Sequence, residues 1–304
     1  MTVRRLSPRI AAVRDDKRVV VALVLALALI AGCGGGGGAP ATPQAVRLSP
    51  TDAGPQGRVP QFVVECGFSH AAPDDPIVHP GHAGVSHLHT FFGSTVTAAA
   101  STAEDLSQGP TTCDQQLDRA AYWAPALMDG GQMVVPGRVV AYYRPGVGIA
   151  PATVEPYPFG LVMLAGEPHA TGPQPLDVVA WSCGTGSERR ILPPECPHGR
   201  PLRLAVAFPD CWDGRNLDSP DHRSHVARSE RGACPASHPA PVPQLLLTID
   251  YPVAGAEHDL SLTSGSMYGA HADFLNAWDP DKLRTEVESC LQRGLTCGVA
   301  STRS

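Results

Sequence analysis

Downstream of residue 58, apolar residues come in short runs, each bounded by Pro, Gly, Asp or Ser. Phe62 to Val64, Gln132 to Val135, Arg138 to Tyr143, Leu161 to Leu164, Leu176 to Trp181, Leu202 to Phe208, Gln244 to Tyr251 and His258 to Leu262 have this form. Runs of this length between turn residues predict strands rather than helices. One helix stands out near the C-terminus. Asp279 is placed to cap it, Pro280 to occupy its first turn, and Leu283, Val287, Cys290 and Leu291 fall on one face at helical spacing. The expectation is a mainly β fold: a single β-sandwich or jelly-roll-like domain over residues 58–304, with long loops and one C-terminal helix.

The N-terminus follows a different pattern. An unbroken apolar run, Val19 to Ala31, lies behind Arg4, Arg5, Arg9, Arg14, Lys17 and Arg18. A basic segment followed by an apolar one is an export signal, and the run is well short of the roughly 20 apolar residues a spanning helix needs. Ile30-Ala31-Gly32-Cys33 resembles a bacterial lipobox, in which small residues admit the signal peptidase and the cysteine thiol takes lipid. Residues 1–33 are therefore expected to be a lipoprotein signal, with lipidated Cys33 holding the chain at the outer face of a membrane. The Gly- and Pro-rich residues 34–57 offer little to bury and read as a flexible tether.

Cysteine usage fits the same cut. Nine cysteines is an odd number, and setting Cys33 aside leaves eight for an oxidising compartment. Proximity along the chain favours Cys66 with Cys113, Cys183 with Cys196, Cys211 with Cys234 and Cys290 with Cys297, although eight cysteines permit about 105 connectivities. A thiolate metal site lacks support, because no C-x-x-C occurs. Without residues 1–33 the chain keeps 17 basic and 27 acidic residues, a net charge of about −10. An acidic domain repels phosphate backbones, so nucleic acid is not an expected partner. A monomer is expected.

Three polar stretches could carry chemistry. The first, Asp74-Asp75-Pro76-Ile77-Val78-His79-Pro80-Gly81-His82, runs into Ser86-His87-Leu88-His89-Thr90-Phe91-Phe92-Gly93, where an extended backbone over residues 86 to 91 would set His87 and His89 on one face, as metal ligands or as an acid and base. The run from Cys211 to Val226 holds Trp212, Asp213, Asn216, Asp218, Asp221, His222 and His225. Asx turns explain part of that density, and a calcium loop is a further reading, although no EF-hand spacing is present. In the third stretch, Ser264 to Asp279, His271 and Asp273 stand two apart, and a carboxylate beside an imidazole suits a base or a metal ligand. Surface histidines and ordinary Asp/His pairs are the bland alternatives.

D-P-I-V-x-P-G, S-H-x-H, Y-W-x-P at Tyr122 to Pro125, the long motif at Cys211 to Val226 and H-A-D-F at His271 to Phe274 together resemble the DUF1996 family over about residues 60 to 290. His79 and His82 stand outside that pattern. Ala277 and Arg228 depart from it, where glycine and an aromatic residue are common. The resemblance implies a secreted domain of fungi and actinobacteria. Its fungal members can carry wall-binding modules, which points to polysaccharide surroundings by association.

The leading expectation is action on extracellular or cell-wall polysaccharide, as a hydrolase or lyase. His87, His89, Asp221, His222, His271 and Asp273 would be the catalytic set, and Trp123, Trp212, Asp213, Asn216, Asp218, Tyr268 and Trp278 would bind substrate. The alternatives are a non-catalytic wall-binding module and a metal-binding surface lipoprotein, with His87, His89, His225 and His271 around one divalent ion, zinc, copper or calcium. No G-x-S-x-G, Walker loop, H-E-x-x-H or Rossmann fingerprint is present. Replacing Cys33 with Ser should move the protein from the detergent-soluble membrane fraction to the soluble one. Equal partition of both forms would remove the anchor.

Overall fold

Most of the expected strands join two large sheets, and in each the side-chain period of two divides residues between an inner and an outer face. The computed structural model describes residues 50–51 and 59–298, so the signal, Cys33 and most of the tether lie outside the described residues. All described residues belong to one compact unit. The seven-stranded sheet runs in the order Pro50–Thr51, Thr296–Cys297, Gln61–Cys66, Arg138–Arg144, Gln244–Tyr251, Leu202–Ala207, Val179–Cys183. The five-stranded sheet runs Phe68–Ala72, His89–Gly93, Ala121–Pro125, His271–Leu275, Val162–Gly166. Pairing is antiparallel throughout these two sheets, except where Thr296–Cys297 lies parallel to Gln61–Cys66.

The inner faces meet in one core. Phe62, Val64, Tyr143, Leu204, Leu247 and Ile249 come from the larger sheet, and Phe92, Tyr122, Met163 and Phe274 from the smaller. Complete burial of such side chains stabilises the fold by roughly 1.5–3 kcal/mol each. Two strands, Phe68–Ala72 and Ala121–Pro125, carry no alternation of apolar and polar residues. In Ala121–Pro125 every residue is buried, because both faces of the strand are covered.

The C-terminal helix forms as its sequence dictates. Asp279 accepts from the Lys282 amide at 2.9 Å, Pro280 opens the helix, and Leu283, Val287, Cys290 and Leu291 are all buried. Pro280–Glu286 continues into a π turn at Val287–Leu291. A second, shorter helix, Ala103–Gln108, is closed by a Thr102/Asp105 capping box. Four disulfides brace the scaffold, in the pairing proximity suggests: Cys66–Cys113, Cys183–Cys196, Cys211–Cys234 and Cys290–Cys297. Cys211–Cys234 closes the long polar stretch into a loop anchored at its base.

Trp278 belongs to this core and not to a sugar-stacking surface. It is 1% exposed, stands edge-on to Phe62 and Tyr143, and donates its indole N–H to the Tyr143 hydroxyl at 3.1 Å. The Tyr143 and Tyr122 hydroxyls are in hydrogen-bond contact at 2.5 Å, and Tyr122 donates to the fully buried Asp118 carboxyl at 2.6 Å. Burial pushes the Asp118 carboxyl up to about 8, against the donors Tyr122 and Ala120, which pull it down. The unfolded chain releases this proton near 3.8 and the fold only near 8, so the stability the group contributes is complete below the first value and lost as pH rises through the second. Asp118→Asn removes this titration. Denaturation curves should show the variant gaining on the wild type from about pH 4 to 8; parallel pH profiles would mean Asp118 is ionised throughout.

Candidate metal centre

The outer face of the five-stranded sheet carries an unusual mixture of side chains. By register, His89 and Phe91 share this face with Trp123, and Trp123 lies opposite both Phe91 and Asp273. His271 stands two residues before Asp273 and pairs with Gly166. One half of the face is apolar, where Ile77 and the short helix's Ala103 and Leu106 pack on Phe91, Trp123, Leu164 and Leu275. The other half is polar, and residues 73–88 lie against it: the Asp74 backbone carbonyl meets the His89 ring at 2.9 Å, and Ile77 plugs the apolar half.

Histidine spacing produces the polar half directly. His87 and His89 ring centroids are 4.1 Å apart, and both lie near His271, at 5.2 and 6.0 Å. One ligand nitrogen from each of the three lies within 4.8 Å of the others, which makes them candidate ligands of a single ion. Asp75, His89 and Asp273 form an overlapping group within the same distance. Asp75 is held in place because one of its carboxylate oxygens accepts the Ile77 and Val78 amides, both at 3.0 Å.

Hydrogen bonds fix which nitrogen of each buried ring faces the cluster. His89 Nδ1 meets the Asp74 carbonyl at 2.9 Å, and His271 Nδ1 meets the Gly269 carbonyl at 2.8 Å. A carbonyl only accepts, so each Nδ1 carries the proton and each Nε2 keeps its lone pair. Backbone carbonyls orient metal-ligating histidines in this way. Gly166 allows the close approach beside His271: at φ +84° a Cβ there would sit 2.7 Å from the Ala270 oxygen and 2.9 Å from the His271 Cα.

The His89 Nε2 lone pair has nothing to bond. Among the described residues, six buried side-chain polar atoms lack a hydrogen-bond partner, and four of them gather here: His87 Nε2, His89 Nε2, Asp273 Oδ2 and Trp123 Nε1. Native proteins rarely leave such atoms unpaired, and each one costs about 1–3 kcal/mol. Asp273 Oδ2 lies 3.8 Å from His271 Nε2, beyond hydrogen-bond reach.

Burial sets the charge state of the cluster. It drives His89 well below the usual imidazole range, with the neighbouring His87 and His271 adding to the effect, and pushes His271 down to about 3. His87, half-buried, is lowered by burial and then by His169 and His79. Burial also raises Asp75, and raises Asp273 far above the carboxylate range with help from Asp75. Three neutral imidazoles are what a metal requires, since ligands must be deprotonated. The carboxyls hold their protons only while no cation is beside them, because a bound ion reverses that balance.

The other sequence candidates divide sharply. Trp123 is fully buried and cannot stack on a sugar. His225 is not a ligand: its two nitrogens meet the Ser219 hydroxyl at 2.9 Å and the Val162 carbonyl at 2.8 Å. Asp213 accepts the Arg215 and Asn216 amides and the Asn216 side chain, an Asx-type turn that uses both residues. Asp221 accepts from Ser219 and Ser224 hydroxyls and from the Arg223 and Ser224 amides, which hold its carboxyl far below the usual range. It braces the loop and is not a proton donor. With its carboxylates occupied in this way, the loop does not offer a calcium site. Trp212 is half-buried, with its indole N–H on the Asn216 carbonyl. The half-buried Tyr268 ring makes no hydrogen bond among the described residues.

One pair from that loop lies near enough to act electrostatically on Asp75. Asp218 accepts from His222 Nδ1 at 2.9 Å, and His222 is held at φ +55°, rare for a residue with a side chain. Its charge is felt at Asp75. Three further residues stand around the cluster without having been singled out as site residues from the sequence: Asp75 within it, and His169 and Arg223 beside it. Asp75 opens the D-P-I-V-x-P-G motif and Arg223 lies within the Cys211 to Val226 run, but neither was assigned to the site; His169 lies in no motif.

Comparison with known proteins gives one match. The family model described as "Domain of unknown function (DUF1996)" matches residues 75–278, a stretch that holds every member of the cluster. No curated protein and no solved structure matches the chain.

Proposed function

The chain belongs to the DUF1996 family, and we propose that it is an extracytoplasmic, lipid-anchored protein built around one divalent transition-metal centre, with His87, His89 and His271 as ligands. The observation that carries this reading is the gathering of unpartnered, buried imidazole nitrogens around one point, with two of the rings locked in the tautomer that leaves Nε2 free. Imidazole donors suit zinc and copper and do not suit calcium, which takes oxygen ligands. The four disulfides are consistent with an oxidising, extracytoplasmic location.

Three protein ligands leave a position for water, the arrangement of catalytic zinc. A bound ion of this kind lowers the pKa of its water and polarises an oxygen of the substrate. Asp273 and Asp75 are placed to accept a proton beside it, and the Asp218–His222 pair supplies a second proton-transfer group. Half-buried His87 marks the side on which the centre meets solvent. We therefore read the protein as a metal-dependent hydrolase of extracytoplasmic polysaccharide. A two-carboxylate glycosidase is less well supported, because Asp213 and Asp221 are consumed by loop hydrogen bonds.

Protein purified without a histidine tag should bind about one equivalent of zinc, measured by elemental analysis after dialysis. At a hundredfold excess of free ion over Kd, the added stability should be about 2.7 kcal/mol. His271→Ala and His89→Ala should lose the metal and any turnover of a polysaccharide panel while keeping the four disulfides. Folded wild type that retains no zinc or copper would rule out the centre.

A further inference from the structure

One arginine side chain reaches the sheet beside His271. We infer that Arg223 is the anion-recognition residue of this centre, and that the substrate carries a negatively charged oxygen group, a carboxylate or phosphate, beside the bond that reacts. This rests on the metal-centre reading above and names the substrate class for the same site.

Arg223 is held tightly at its backbone and sparsely at its head. Its amide is bound by Asp221 at 3.1 Å and by the Ser219 hydroxyl at 3.2 Å, in a loop closed at its base by Cys211–Cys234. The preceding residue, His222, takes the left-handed backbone conformation, so the chain turns sharply just before Arg223. The side chain then spans to the five-stranded sheet, where one Nη2 donates to the Gly166 carbonyl at 2.9 Å. Gly166 is the strand partner of His271, so the guanidinium stands beside a proposed metal ligand. Its charge acts on both His271 and Asp273.

A guanidinium has five N–H donors, and the contact with Gly166 uses one of them. Arg223 forms no ion pair with a carboxylate among the described residues, whereas Arg138, Arg190, Arg203 and Arg284 each do. It is also half-buried, so water reaches it only in part. A half-buried fork of donors beside the strand partner of His271 matches a carboxylate or phosphate, which it can bind in two places at once. A neutral sugar would cover the guanidinium without pairing it, and an uncompensated buried charge is costly.

Histidines and carboxylates both stand near the cluster. His79 and His169 lie close enough to influence His87, and His222 close enough to influence Asp75. The carboxylates nearby are already engaged: Asp218 with His222, Asp221 with its loop, Asp74 with the Gly84 and Ala99 amides. Glu167, exposed beside Gly166, accepts the His169 amide at 3.2 Å.

The test uses the full-length, zinc-loaded protein and isothermal titration with two anionic probes, inorganic phosphate and a glucuronate-containing oligosaccharide, against the neutral glucose counterpart of the latter. Wild type should bind at least one anionic probe and bind the neutral sugar at least tenfold more weakly, and the tighter anion identifies the group as phosphate or carboxylate. Arg223→Gln should keep one zinc and lose tenfold or more of the anion affinity, while Arg223→Lys keeps the charge and recovers part of it. Zinc-loaded Arg223→Gln that binds the anions as tightly as wild type, or a wild type that prefers the neutral sugar, would overturn the inference and leave the metal centre standing. Wild type that takes up no zinc removes the centre itself, a result read separately by elemental analysis.

Discussion

Burying imidazole nitrogens and carboxyl oxygens side by side, without giving them partners, is among the more expensive arrangements a fold can hold. Here three histidines and two aspartates converge on one face of a sheet, and the structure around them is organised to keep them there. The backbone carbonyls of Asp74 and Gly269 hold two ring protons away from the cluster, and Ile77 and the short helix seal the apolar half of the same face. On the proposed reading, a cation would convert these unpaired atoms into ligands and so offset the cost of the arrangement.

The rigidity comes from the scaffold and not from the loops that carry the site. Strands place His89, His271 and Asp273 to within a register step, and the inner core, with its Tyr122–Tyr143–Trp278 hydrogen-bond chain, holds the sheet from behind. Cys66–Cys113 ties the strand ending at Cys66 to the segment that leads into Ala121–Pro125. The polar loop from Cys211 to Val226 uses most of its acidic groups internally. What it delivers to the rim is a small rigid end, His222 and Arg223.

How much of this could be read from the sequence follows from what each feature depends on. The C-terminal helix and the four disulfides were legible because caps, helical spacing and nearby cysteines are local signals. The H-x-H and H-x-D pairs were legible because extended backbone puts alternate residues on one face. Trp123 was read as sugar-binding although strand Ala121–Pro125 is buried on both sides and so shows no alternation, and Trp278 because its packing on Phe62 and Tyr143 comes from elements distant in sequence. Asp213, Asn216, Asp221 and His225 have the composition of a site, but their bonds satisfy the loop's own backbone and hydroxyls. Asp75 and Arg223 lie in motifs the sequence marks, but their place at the cluster, like that of His169, depends on tertiary packing and gave no local signal of a role.

The most direct measurement is anomalous diffraction at the zinc absorption edge from crystals grown with the ion. The expected map has a single strong peak about 2.0–2.1 Å from one nitrogen of each of His87, His89 and His271. A map with no peak there, and ordered waters bonded to those nitrogens instead, would make the cluster a hydrated polar core and contradict the metal centre.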